Sequence, residues 1–180
     1  MDLNRFRKLT EGLISSGSKD LLNIDPLNGD PLNVNTRVSL VDILSEAISC
    51  FEDEVFLQYG VDEDQSFKLA LKSNPYSYAV VIQEGRPINV KRDESLESRV
   101  MFCSDSPSIC LEDFFSDDQT YRIGSVFVHD PFDYRHLLLL FATIKNYLAD
   151  KALIVIDHCT WGSIQQAAVD LMLLYPTSVE

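Results

Sequence analysis

Glycine is scarce in this chain: seven in 180 residues, roughly half the usual share. Basic residues are outnumbered, 15 against 28 acidic ones, which leaves a formal charge of −13. That balance excludes binding modes built on neutralising phosphates or docking to anionic lipid. No apolar run reaches the length of a membrane span; the longest, Leu137 to Ala142, covers six residues. The N-terminal Met-Asp-Leu-Asn-Arg-Phe-Arg-Lys has no apolar core behind its charges, so a secretory signal is not expected there. Only four cysteines occur (Cys50, Cys103, Cys110, Cys159), with no CxxC pair. They read as reduced structural thiols of a cytoplasmic protein rather than a disulfide framework or a zinc site.

What is present is globular in composition, with 46% hydrophobic residues. Residues 1–36 read as an N-terminal helix and loop extension, dense in Pro, Asn, Asp and Gly between Asn23 and Asn35. Residues 37–180 alternate regularly between helical and strand patterns. Val41, Leu44, Ile48 and Phe51 mark one helix face, and Ser66 to Lys72 a second helix. Leu137, Phe141, Ile144 and Leu148 mark a third, and Trp161 to Leu174 a last one before Pro176. The runs beginning at Val55, Tyr78, Ser125 and Ala152 are continuously apolar, as strands buried on both faces are. Ser108 to Glu112 reads as a weaker strand, and 88–107 carries helical hints at Leu96, Val100 and Met101. The expected fold is α/β, a doubly wound, mostly parallel sheet of about five strands with helices on both faces.

Ligands of such sheets sit outside the carboxyl ends of the strands. Two of those ends are rich in groups that ionise or coordinate: His129-Asp130-Pro-Phe-Asp133-Tyr134 and Asp157-His158-Cys-Thr-Trp161. Carboxylates also end strands routinely as helix caps, so each needs support beyond its position.

These two runs, with Val55-Phe-Leu-Gln-Tyr-Gly60 and Ser66 beyond it, resemble the class I S-adenosylmethionine-dependent methyltransferases. The likeness is to a bacterial group whose fourth strand ends in Asp-Gly-x-His-x-Tyr and whose fifth ends in Asp-Asp before a Trp. It implies a Rossmann-like methyltransferase core with S-adenosylmethionine as cofactor. Carried over, Gly60, Asp62 and Ser66 form the cofactor loop, Glu84 accepts from the ribose hydroxyls, and Asp113 lies near the adenine. Asp130, Asp157 and His158 become the catalytic candidates, and the same three could converge on a divalent cation, a lesser expectation. Tyr134 and Trp161 fall on the substrate side. His129 joins Asp130, Asp157 and His158 as a source of a base. His136 is expected to be exposed, and Cys159 a passive thiol.

The chain departs from the group's pattern at several positions. Gln58 stands where the group has an acidic residue, and Val-Asp-Glu-Asp-Gln fills a loop that carries a second glycine in the group. Pro131, Asp133 and His158 replace glycine, histidine and aspartate of the strand-end motifs. The sequence ends after the helix that follows the fifth strand, where the group's fold adds two more. Two functions follow. The leading one is a binding or assembly module with weakened cofactor binding, pairing with a protein partner or with itself. The alternative is an active S-adenosylmethionine-dependent methyltransferase acting on a small molecule. Nucleic acid and membrane are expected partners of neither.

Overall fold

A computed structural model describes residues 40–51, 53–61, 66–86, 88, 93–116, 120–129, 133–157 and 162–174. The expected extension at 1–36 lies outside them. In chain order the elements are α1 (Leu40–Ser49), β1 (Val55–Tyr59), α2 (Ser66–Lys72), β2 (Ala79–Ile82) and β3 (Val100–Cys103). Then come α3 (Pro107–Phe115), β4 (Ile123–Val128), α4 (Tyr134–Ile144), a 3-10 turn (Lys145–Tyr147), β5 (Leu148–Ile156) and α5 (Gly162–Leu174). The five strands form one sheet in the order β3-β2-β1-β4-β5, and every pairing is parallel.

Strand periodicity divides the core in two. Val55, Leu57 and Tyr59 of β1 face α3, α4 and α5, where they join Leu137, Leu140, Phe141, Ile144 and Ile164. Phe56 faces the other way, with Phe67 and Leu71 of α2 and Leu44 and Ile48 of α1. Alternate residues thus serve opposite layers, so β1, β2 and β4 are buried at every position. Each fully buried Phe or Leu contributes about 1.5–3 kcal/mol relative to exposure.

The sheet corrects three expectations. The third strand is Val100–Cys103, not 108–112. It is an edge strand, with Val100 and Cys103 buried and Phe102 exposed, and this uneven burial conceals it in sequence. Residues 108–112 belong to α3, which starts with Pro107 after an extended Ser106 and buries Cys110, Leu111 and Phe115. Leu148 opens β5 instead of continuing the helical face of Leu137, Phe141 and Ile144.

Cys103 and Cys110 are joined by a disulfide, their Cα atoms 5.9 Å apart. The expectation of reduced thiols therefore fails for this pair. The tight β3–α3 turn brings together two residues seven positions apart, a proximity that the spacing alone does not announce. No helix among the described residues is long and apolar enough to cross a membrane.

Candidate functional site

After β1 the chain runs outward through β2 to β3, then returns to place β4 on the other side of β1. The connections diverge at this point, and a crevice opens above the carboxyl ends of the two strands. Gly60 follows β1 and His129 follows β4, held together by the His129 N–H donating to the Tyr59 carbonyl at 2.8 Å. Gly60 has φ +82°, and a Cβ there would run into the backbone carbonyl oxygen of His129. Glycine is thus required here by the approach of two strand ends.

Parallel neighbours carry the same logic to β5. The Asp157 N–H donates to the Val128 carbonyl at 2.9 Å, which sets the residue after β5 beside the residue after β4. His129 Nδ1 lies 3.0 Å from Asp157 Oδ2. A carboxylate at Nδ1 favours the tautomer with its proton there, leaving the lone pair on Nε2.

Two cavities adjoin these strand ends. The smaller, about 70 Å³, is lined by Tyr59, Gly60, Val61, Gln83, Glu84, Arg86 and His129. The larger, about 420 Å³, lies between the starts of α3 and α4; Ser106, Ser108, Arg135, His136, Leu139 and Leu140 are among its walls. Glu84 borders both.

Several backbone and side-chain groups around the smaller cavity are paired. The Val61 N–H donates to Gln83 Oε1 at 2.8 Å. Gln58, wholly buried on the α1/α2 side, donates from Nε2 to the Gly60 carbonyl at 2.8 Å. A carboxylate cannot donate that bond, which gives the Gln58 departure a local structural reason. Tyr59 donates from its hydroxyl to Glu84 Oε2 at 2.9 Å and also meets His136 Nε2. Burial first, then the Glu84 carboxylate, raises the Tyr59 pKa, so the phenol keeps its proton.

The expected residues separate into groups. Gly60 and Glu84 line the smaller cavity together, and Asp157 joins them through His129. Asp113 is exposed in the second half of α3, because the strand expected to carry it to the sheet end is a helix. The residue that follows the true β3 is Ser104. Tyr134 is occupied at 2.7 Å by Asp170 of α5, a bond that raises its pKa and ties α4 to α5. Ser66 opens α2. Asp62, Asp130, His158, Cys159 and Trp161 lie outside the described residues.

His136 corrects its expectation. It is half-buried against Tyr59, the two rings edge to face at 5.3 Å, and it lines the larger cavity. The α4 cap explains the placement: Asp133 is extended and accepts from the His136 N–H at 2.8 Å. Tyr59, Arg86, Ser106 and Ser108 were not anticipated at the site. Tyr59 alone carried a signal, as the last residue of a strand read correctly. Among the described residues, no group of three His, Cys, Asp or Glu could hold a metal ion.

No protein-family profile and no curated protein matches the sequence. Solved structures do. The chain is similar to the apo structure of CalS11, described as a TDP-rhamnose 3'-O-methyltransferase, an enzyme in calicheamicin biosynthesis. The TM-score is 0.54 at 15% identity, over 94% of this chain and 85% of the other. A second structure, of CalS11 as calicheamicin methyltransferase, gives 0.54 and 15% over 95% and 84%. With its five-stranded parallel sheet and flanking helices, this chain has the Rossmann-like α/β fold of the methyltransferases.

Proposed function

We propose that this chain binds S-adenosylmethionine across the strand ends and methylates a hydroxyl group of a small molecule. The observation that carries the reading is the His129–Asp157 pair, set beside Gly60 at a cavity whose other wall is Glu84.

The residues present fit the cofactor. Glu84 is an exposed carboxylate between the two cavities, suited to accept from the paired hydroxyls of a ribose. The larger cavity falls in the usual range of about 300–1,000 Å³ for ligand sites. It offers the His136 ring and Leu139 and Leu140 to a flat apolar base, with serine hydroxyls for its polar edge. Arg86, on the smaller cavity, can meet a ligand carboxylate. Bound there, S-adenosylmethionine supplies a methyl group activated by its sulfonium.

The protein's own part is positioning and proton transfer. His129 Nε2 takes the proton of the acceptor hydroxyl as that oxygen becomes a nucleophile, and Asp157 balances the imidazolium charge. An assembly module without cofactor places no requirement on a His–Asp pair at a cavity mouth. The ligand-binding alternative is therefore the one that the geometry favours. A hydroxyl-bearing small molecule also accords with the activity in the CalS11 description, at the level of fold.

Calorimetric titration of the folded protein with S-adenosylhomocysteine tests the reading. Binding in the micromolar range, weakened tenfold or more by Glu84→Gln, is expected. No heat at millimolar ligand overturns it.

A further inference from the structure

Tyr59 closes β1 and is 3% exposed, its ring on the face covered by α4. A phenol has one proton to give. Donated to Glu84 Oε2, it leaves only oxygen lone pairs toward His136, so Nε2 of His136 carries the N–H. The bonds therefore run in one direction, from His136 Nε2–H to the Tyr59 hydroxyl and from that hydroxyl to Glu84. Asp133 anchors the far end by accepting from the His136 backbone N–H. Packing alone does not call for this chain: a phenylalanine fills the same volume in the core without its hydroxyl. Glu84, in contrast, is an exposed turn residue whose side chain has several rotamers to choose from.

We infer that Tyr59 and His136 are positioning residues, whose hydrogen-bond chain holds the Glu84 carboxylate at the junction of the two cavities to accept from a ribose diol. The inference rests on the cofactor reading above. With one oxygen fixed by Tyr59, the carboxylate plane is set before the ligand arrives, and less ordering is needed on binding. The consequence is selectivity: a ligand with both hydroxyls gains a charge-assisted bond that its 2'-deoxy counterpart lacks.

The test compares dissociation constants of S-adenosylhomocysteine and its 2'-deoxy analogue for wild type, Tyr59→Phe, His136→Gln and His136→Leu. Wild type is expected to prefer the ribose form by about tenfold or more. Tyr59→Phe should reduce that preference to about threefold or less while the melting temperature stays near wild type. His136→Gln retains an N–H donor and should keep most of the preference, whereas His136→Leu should not. A purely structural role for Tyr59 weakens both ligands equally and leaves the ratio unchanged, and that result overturns the inference. So does a wild type that binds both forms equally, although the cofactor reading then stands. A wild type that binds neither overturns both.

Discussion

His129 Nδ1 stands 3.0 Å from Asp157 Oδ2 across 28 residues of sequence, because β4 and β5 are parallel neighbours that end side by side. Asp157→Asn keeps the shape but removes the charge that balances an imidazolium. Methyl-transfer turnover should fall by about 10²–10⁴-fold. Affinity for S-adenosylhomocysteine should stay within about twofold, since Asp157 is not among the residues lining either cavity. Single-turnover transfer of a labelled methyl group, with calorimetry alongside, separates the two effects.

Gly60 and Gly85, both with positive φ, should respond differently to alanine. Gly60→Ala combines a left-handed backbone with a collision against the His129 carbonyl, and neither strand end can yield without breaking its hydrogen bonds. The loss should reach at least about 2 kcal/mol. Gly85 has φ +68° but open space within 4 Å, so Gly85→Ala should cost only about 1 kcal/mol. Denaturant unfolding of both variants checks the order.

Gln58→Glu introduces the acidic residue that the methyltransferase group carries there, and it should destabilise this chain. The side chain is wholly buried and donates to the Gly60 carbonyl; a carboxylate there faces an oxygen with no proton to offer. A cost of about 1–3 kcal/mol follows, visible as a lower melting temperature.

How much of this was legible in the sequence depended on burial. The β1, β2 and β4 runs are buried at every position and mostly apolar because both faces of the sheet are covered, and such runs stand out. Val100–Cys103 lies at the sheet edge with Phe102 exposed, and without two covered faces its pattern resembles a helix fragment. Ile109-Cys110-Leu111 misled in the opposite direction: three apolar residues in a row look like a strand, but Ile109 is 50% exposed on a helix. The displacement of that one strand carried Asp113 away from the site. Gly60, Glu84 and Asp157 were readable because strand ends fix their positions. Tyr59–His136 was not, since it joins residues 77 apart through the packing of α4 on the sheet.

The Cys103–Cys110 disulfide closes a short loop across the β3–α3 turn, so it constrains the unfolded chain only modestly. Its reduction, or Cys103→Ser, should cost about 2 kcal/mol. For a chain of this size that corresponds to a melting temperature lower by about 4–8 °C. Thermal unfolding with and without dithiothreitol measures the change, and a shift confined to the wild type assigns it to this bond.

The central claim is that an S-adenosyl ligand occupies the strand ends around Glu84. Backbone amide chemical shifts recorded during titration with S-adenosylhomocysteine locate the ligand directly. The account predicts perturbations concentrated at Tyr59 to Val61, Gln83 to Arg86, Ser104 to Ser108, His129 and Arg135 to Leu140, with α1 and the start of β5 unaffected. Shifts elsewhere in the fold, or none at millimolar ligand, would contradict it.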